Sequence, residues 1–520
     1  MTAAVQERAA RTGPPVTVQG LLERAFRRHG DRPCFYWDGG EASYRETFRR
    51  CSTLATWLQH ETDPGAHIAI LLENSRECLE AILACALAGR VRVPLNAREA
   101  ARDQAYKIDR ARSAIVITTA EWWEEVRPHL SNVPDVLLVD GPAFEQLLSD
   151  SSRTRRPLKR VDPGARYRLS FTGGTTGTPK AVVQTDRQEL AMIRNLLLEV
   201  TPMDETAVFL AATPLSHASG AFIVPTVLRG GALAWLAKFD ADAVADPRFI
   251  PDDRALVTFL VPTALSDLCA VGSVRPGLRV VYGGAPCPLR TFEDAVNTFD
   301  GNLVQVYGQA EAPMTICVLP ESYHRQDSDY AEGCVGFPFL WVEILVCVEG
   351  KPQPAGEVGE VEVVAENVMD EDWDEPEATS EKIVDGRLRT SDLGYFDDVG
   401  KLWLVGRSRE LIISGGYNVH PIDVERRLGT LRGAHSYAVF GVPHPRWGEA
   451  VVLAVVRATP EITEAELDGQ IYEAAAALAD YERPKRVLFV DDLPLSPIGK
   501  VSRGELTERY SQLFTSQGDQ

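Results

Sequence analysis

Short, strongly apolar runs alternate along this chain with stretches of helical spacing, and few architectures accept that pattern. His67-Ile-Ala-Ile-Leu-Leu72 suits a strand buried on both faces. Residues 75–87 follow with helical periodicity, and Arg90-Val-Arg-Val-Pro94 reads as the next strand. Strand–helix–strand at this spacing is a βαβ unit, which requires a parallel sheet covered by helices. The rhythm returns at Ala114-Ile-Val-Ile-Thr118, Val136-Leu-Leu-Val139, residues 255–261, Leu278-Arg-Val-Val-Tyr282 and Asn302-Leu-Val-Gln-Val-Tyr307. The expected fold class is therefore α/β, with a large multi-layer N-terminal domain built from βαβ units. Residues 395–405 read as a hairpin turning at Asp398-Val-Gly400, and past it the character changes. A smaller segment follows, with strands of its own at residues 436–442, 450–456 and 486–490. The expected boundary puts residues 1–406 in the large domain and residues 407–520 in a small, mobile α+β domain.

With 520 residues, 45% hydrophobic and 25% charged, the chain has ample apolar surface for such a core. Its 54 basic and 74 acidic residues leave a net charge of −20, which argues against a nucleic-acid or anionic-membrane partner. No uncharged apolar run reaches the roughly 18 residues of a spanning helix. Residues 1–15 read as a flexible leader without the apolar centre of a signal peptide. The nine cysteines are scattered, without CxxC or Cys/His ligand spacing, and read as reduced thiols of a cytoplasmic protein, mostly packing the core. The acidic stretch Asp370-Glu-Asp-Trp-Asp-Glu-Pro-Glu377 reads as a solvated loop. Only nine of the 54 basic residues are lysines, so each lysine position is worth inspecting, because an ammonium differs from a guanidinium in shape and titration.

The strongest motif is Tyr167-Arg-Leu-Ser-Phe-Thr-Gly-Gly-Thr-Thr-Gly-Thr-Pro-Lys180, followed by Ala-Val-Val-Gln-Thr185. A strand enters a loop dense in Gly and Thr, and a β-branched strand leaves it. Glycines let backbone approach an anion closely. Successive N–H groups and Thr hydroxyls can then surround phosphate oxygens, with Lys180 as a point charge. Thr-Pro precedes Lys180 and a strand follows, so this is not a Walker loop on a helix N-terminus.

Five further segments follow in order: Pro214-Leu-Ser-His-Ala-Ser-Gly220, Tyr282-Gly-Gly-Ala-Pro286, Tyr307-Gly-Gln-Ala-Glu311, Thr390-Ser-Asp-Leu-Gly394 and Gly406-Arg-Ser-Arg-Glu410; Pro497-Ile-Gly-Lys500 comes last. Together with the Gly/Thr loop they resemble the adenylate-forming superfamily of acyl-CoA synthetases, nonribosomal adenylation domains and firefly-type luciferases, over nearly the whole chain. The resemblance implies a reaction in two halves. A carboxylate attacks the α-phosphorus of ATP and pyrophosphate leaves; a thiol then attacks the acyl-adenylate and AMP leaves. It implies that Thr172, Gly173, Gly174, Thr175, Thr176 and Lys180 hold the triphosphate, and that Gly284, Ala285, Pro286, Tyr307, Gly308 and Ala310 line the adenine slot and its phosphate side. Asp392 and Arg407 are implied at the ribose, Glu311 with Thr176 at Mg2+, and Lys500 at the reacting carboxylate and α-phosphate. His217, Gly283, Gly308 and Met314 are implied at the acyl group, with His217 orienting the acyl carbonyl or helping the thiol in. Gly415 and Gly416 would thread the pantetheine arm of coenzyme A, Trp447 would wall it, and Tyr481, Arg483 and Lys485 would take its nucleotide end, a pattern similar to aryl-, coumarate- and chlorobenzoate-type CoA ligases. Rotation about Arg409 would exchange the two faces of the small domain.

Two departures fall on the phosphate side. Ala310 stands where the family has Thr, and Gly173 where it often has Ser. Each removes a hydroxyl that would face phosphate, and one charge-assisted hydrogen bond contributes about 1.5–3 kcal/mol. Two readings therefore stay open: an enzyme that performs both halves, and one that mainly converts a preformed acyl-adenylate to the thioester, with a separate adenylating enzyme as partner. No Asp lies beside His217 to bind an ammonium, so an amino-acid substrate is disfavoured and a bulky hydrophobic or aromatic acid is expected. Rival readings are a ligase that loads an acyl carrier protein, a luciferase-like oxygenase and a degenerate adenylate-binding scaffold.

Overall fold

The structure is a computed structural model; it describes residues 16–150, 157–172, 179–200, 203–325, 330–331, 333–407, 410–415, 417–459, 461–476, 478–495 and 501–514. The expected leader at residues 1–15 lies outside them. Among the described residues three sheets carry the architecture.

The largest sheet has fifteen strands, and its centre is a parallel block. Pro33–Trp37, Ala232–Trp235, Ala207–Ala211, Ala255–Leu260, Arg279–Gly283 and Leu303–Tyr307 lie side by side in that order, each parallel to the next. Their apolar runs are buried on both faces, as crossover helices require. Beyond Leu303–Tyr307 the sheet turns antiparallel, passes through the long hairpin Leu402–Arg407 with Arg387–Phe396, and ends in Gly359–Ala365, Val342–Val348 and Lys351–Pro352. The second sheet has seven strands, in the order Glu371–Asp372, Lys180–Thr185, Arg166–Thr172, Val91–Leu95, His67–Leu71, Ile115–Thr118 and Asp135–Leu138. The two strands flanking the Gly/Thr loop pair antiparallel, with Thr172 opposite Lys180. Helix Arg76–Ala88 lies in the shared core; every residue from Cys78 to Ala88 is buried, so it carries no polar face. Ser75 starts it by accepting from the Cys78 amide, and Gly89, left-handed at φ 63°, ends it.

The third sheet belongs to the smaller C-terminal domain. Tyr417–Val419, Ile412–Ser414, Gly448–Arg457 and Ala434–His444 pair in that order, and Arg486–Val490 runs parallel beside Gly448–Arg457. Both of its faces have apolar cores of their own, one on Val439, Val451 and Leu453, the other on Phe440, Val442 and Leu506. Burying one such side chain contributes about 1.5–3 kcal/mol.

Residues 370–377 differ from expectation. They are not a solvated loop: Glu371–Asp372 is an edge strand paired with Val183 and Val182, and Asp372 and Trp373 are buried. Trp373 inserts beneath the second sheet, its ring edge-on to His67 and its indole N–H donating to the Arg110 carbonyl at 3.1 Å. The charge run hid one apolar anchor and one buried carboxylate with a lysine partner. All nine cysteines are free, and all but Cys269 are buried. No helix among the described residues is long and apolar enough to cross a membrane.

Candidate active site

The C-terminal ends of Ala207–Ala211, Ala255–Leu260, Arg279–Gly283 and Leu303–Tyr307 open on one rim, because the four strands are adjacent and parallel. Ligands of open α/β sheets bind outside such carboxyl ends. The segments with His217, Gly284 and Glu311 each leave one of these strands. Asn74 staples the first of them. Its amide nitrogen donates to the Ala211, Thr213 and Leu236 carbonyls at 3.2, 3.0 and 3.1 Å, and its oxygen accepts from the Leu215 amide at 2.8 Å. His217 is exposed on that loop, with Nδ1 2.9 Å from Ser216 Oγ.

The glycines of the rim divide into two kinds. A Cβ on Gly283 would fall 2.1 Å from the Val306 carbonyl oxygen, and one on Gly308 would fall 2.4 Å from the Met314 amide nitrogen. Close backbone approach therefore accounts for both, independently of any acyl group. Gly284 is left-handed at φ 83°, and a Cβ there would meet only Val261 Cγ1 at 3.8 Å, so its face borders open space. Ala285 is half-buried and Pro286 exposed beside it. Met314, half-buried, is itself left-handed at φ 61°, which closes the 308–314 turn.

Asp392 is the best-tethered carboxylate of the rim. Its Oδ2 accepts from the Tyr307 hydroxyl and from Gln309 Nε2, both at 2.5 Å, and its Oδ1 accepts from Arg407 Nε at 2.9 Å. Tyr307 comes from the parallel block and Asp392 from the hairpin, where Arg407 is its cross-strand neighbour. Burial, together with the Asp392 charge, pushes the Tyr307 phenol well above its ordinary range, so it stays protonated and donates. A carboxylate has about four acceptor sites, and three of them are occupied here. One further donor fits as the site stands. Two need a present donor to leave, and Arg407, 49% exposed against 6% for Asp392, is the one on the solvent side.

Glu311 sits farther along the same loop, anchored by its carbonyl, which accepts from the Met369 amide at 2.7 Å. Its Oε1 accepts from Lys382 Nζ at 2.8 Å, and Lys382 also donates to Asp372 Oδ1 at 2.9 Å. Burial opposes the Lys382 charge, but Glu311 and Asp372 outweigh it and hold its pKa above the ordinary value. Burial raises Asp372 despite Lys382, and the charge of Lys180 is also felt there. The phosphate-loop lysine and the Glu311 carboxylate thus share one electrostatic neighbourhood. Sequence reading singled out neither Asp372 nor Lys382; the scarcity of lysine was the available signal. Ala310 offers its carbonyl to Gln184 Nε2 at 3.3 Å.

On the small domain, Gly415 is left-handed at φ 61° and its amide donates to the Trp447 carbonyl at 2.8 Å. Trp447 stacks on His444 at 4.1 Å between centroids, with Lys485 Nζ over its ring at 5.3 Å. Tyr481 stacks on Tyr417 at 4.4 Å, and Tyr417 is 57% exposed. Arg483 is engaged in the fold. Its Nε donates to the Ala475 and Leu478 carbonyls at 3.1 and 3.0 Å, just past helix Glu464–Ala475, and its Nη1 pairs with Asp480 at 3.0 Å. Gly173, Gly174, Thr175, Thr176, Arg409, Gly416 and Lys500, and the side chain of Thr172, lie outside the described residues.

Taken together, the rim offers an open glycine face, a tethered carboxylate able to accept from hydroxyls, and a cluster of lysines and carboxylates where a polyanion and its counter-ion could meet. That combination defines a nucleotide-binding α/β enzyme. Residues 22–371 match the AMP-binding enzyme family and residues 423–500 the AMP-binding enzyme C-terminal domain, and the chain belongs to that adenylate-forming family. Feruloyl-CoA synthase of an Amycolatopsis species is 34% identical to it over 91% of this chain and 95% of that protein. The medium/long-chain-fatty-acid–CoA ligase FadD8 of Mycobacterium tuberculosis is 32% identical over 94% of this chain and 89% of its own length. ATP-bound MatB from Rhodopseudomonas palustris has the same fold, with TM-score 0.85 and 28% identity over 96% of this chain and 100% of that one.

Proposed function

We propose that this enzyme is an acid–thiol ligase that converts a bulky hydrophobic or aromatic carboxylic acid to its coenzyme A thioester through an acyl-adenylate, using ATP. Membership of the family and the CoA ligases among its relatives support the reaction class. The observation that carries the reading is the Asp392 node, a buried carboxylate reached from two strands of one sheet and bonded to Arg407 at 2.9 Å. It is suited to accept from a ribose hydroxyl while Gly284 leaves room for a flat base. Tyr307 is buried with its hydroxyl on Asp392, so its part is to fix that carboxylate as well as to border the base.

In the first half the acid's oxygen bonds to the α-phosphorus and pyrophosphate departs. Lys180, with the loop of residues 172–180, would balance charge on the triphosphate, and Lys500 would follow the charge moving between the carboxylate and the α-phosphate. The residues at Glu311 fit Mg2+: the donors are hard oxygens, the Asp372 Oδ2 atom is buried with no hydrogen-bond partner among the described residues, and a cation already lies between the two carboxylates. Among the described residues no cluster of three or more His, Cys, Asp or Glu forms a protein-only cage, so Glu311 would hold the ion together with phosphate oxygens. When bound, Mg2+ supplies neutralisation of the phosphate charge. In the second half the thiol sulfur bonds to the acyl carbon and AMP departs, with the small domain turned about Arg409 so that Gly415, Gly416 and Trp447 face the cleft and Tyr481 and Lys485 meet the nucleotide end of coenzyme A.

Ala310 favours a second reading, in which adenylation is slow and a partner enzyme supplies the acyl-adenylate. Pyrophosphate exchange with a panel of aromatic and long-chain acids, alongside mass analysis of CoA thioesters, tests both. Exchange at rates ordinary for the family, with thioester formed, supports the complete ligase. Thioester from a supplied acyl-adenylate, with no exchange from any free acid, supports the second reading. Neither product from any acid, nor from a supplied adenylate, overturns both.

A further inference from the structure

We propose that Lys382 is a resident counter-cation that holds Glu311 until a divalent ion takes its place, so that this lysine sets how tightly the enzyme binds its metal. The proposal rests on the reading of Glu311 as the metal-associated carboxylate. Lys382 ends helix Pro376–Lys382, and the next residues, Ile383–Val384, pair with Arg387–Phe396, the strand that carries Asp392. The ammonium is therefore tied to the nucleotide site through its backbone. Its head lies 2.8 Å from Glu311 Oε1 and 2.9 Å from Asp372 Oδ1.

Two carboxylates against one ammonium leave one negative charge in a largely buried space, with Glu311 15% and Asp372 0% exposed. A divalent ion on Glu311 cannot share that oxygen with the ammonium, because like charges at contact distance repel strongly where water is scarce. Asp372 supplies the alternative seat. Its Oδ2 is buried without a partner among the described residues, so Lys382 can release Glu311 and remain paired. A compact ammonium on a flexible stem, with three rotatable donors, suits such a hand-over. The chain uses lysine here although 45 of its 54 basic residues are arginine. Lys382 is thus a positioning residue for Glu311 and a competitor of the metal.

The test reads binding, not turnover. Calorimetry on the full chain measures the Kd of α,β-methylene-ATP over a series of free Mn2+ concentrations, for the wild type and for Glu311→Gln, Lys382→Met and Asp372→Asn/Lys382→Met, each checked for folding by circular dichroism. The Mn2+ concentration giving half-maximal tightening is expected to fall about tenfold in both Lys382 variants, as removal of a contact charge predicts, and to rise in Glu311→Gln. The double variant leaves Glu311 alone and keeps the test decisive if Lys382→Met fails to fold. Unchanged or weaker Mn2+ dependence in the double variant, with Glu311→Gln impaired, overturns the proposal and leaves the Glu311 reading intact. A gain in Lys382→Met that vanishes in the double variant also overturns it, since a new two-carboxylate site would then be the cause. Wild-type Mn2+ dependence in Glu311→Gln overturns the Glu311 reading itself, and the proposal with it.

Discussion

Asp392 receives donors from Tyr307, Gln309 and Arg407, so its direction is set before any ligand arrives. Asp392→Asn keeps the shape but removes the charge-assisted bonds, each contributing about 1.5–3 kcal/mol. AMP affinity measured by calorimetry is expected to fall about tenfold to a hundredfold, and an unchanged affinity would show that Asp392 serves only the fold. A second residue makes a stability prediction. His324 is buried, with Nδ1 donating to the Pro320 carbonyl and Nε2 3.0 Å from the Tyr282 hydroxyl; burial lowers its pKa from 6.5 to about 4. Between those values the unfolded chain binds a proton that the folded chain refuses. The contribution is therefore complete above the unfolded value and lost as pH falls towards the folded one, by up to about 3 kcal/mol. Asp186, pushed up to about 7 by burial, titrates with the opposite sign in an overlapping window. The comparison to make is thus wild type against His324→Asn by denaturant unfolding: the advantage of the wild type should shrink from pH 7 to pH 4.5, and a constant gap would contradict the assignment. At this scale Asp392 and Glu311 were legible because short motifs surround them. Lys382 and Asp372 were not, because the pair that matters joins residues 71 apart in sequence, and an acidic run gives no local sign that one of its carboxylates is buried.

Among the elements, three of the six strands of the parallel block were readable to within a residue or two, since a strand buried on both faces must be an unbroken apolar run, while Pro33–Trp37, Ala207–Ala211 and Ala232–Trp235 were not singled out. Residues 278–282 were expected and Arg279–Gly283 is found; residues 302–307 were expected and Leu303–Tyr307 is found. The edge strand Glu371–Asp372 was missed, because two charged residues ahead of a Trp carry no strand period and its pairing is set by the distant Lys180–Thr185. The end of helix Glu464–Ala475 yields a prediction that separates fold from function. Arg483 donates to carbonyls at that end, where a cation also meets the helix dipole. Arg483→Ala should lower stability by about 1–2 kcal/mol while leaving the KM for coenzyme A within about twofold, whereas Lys485→Ala, which removes the cation over Trp447, should raise that KM with little loss of stability. A large KM effect from Arg483→Ala at unchanged thermal midpoint would return that residue to the coenzyme.

For the whole molecule, three apolar cores and two sheets build the large domain among the described residues, and a separate sheet with two cores builds the small one, which is the mechanical requirement for presenting different faces of the small domain to one cleft. Lys500 belongs to the first half of the reaction in this account and Gly415 with Trp447 to the second, so the halves should be separable by mutation. The most direct measurement supplies a synthetic acyl-adenylate of an aromatic acid with coenzyme A, without ATP, to the full chain and to Lys500→Ala, and follows products by rapid quench and mass spectrometry. The account predicts acyl-CoA and AMP in equal amounts from both proteins. Release of free acid and AMP with no thioester from the wild type would contradict it.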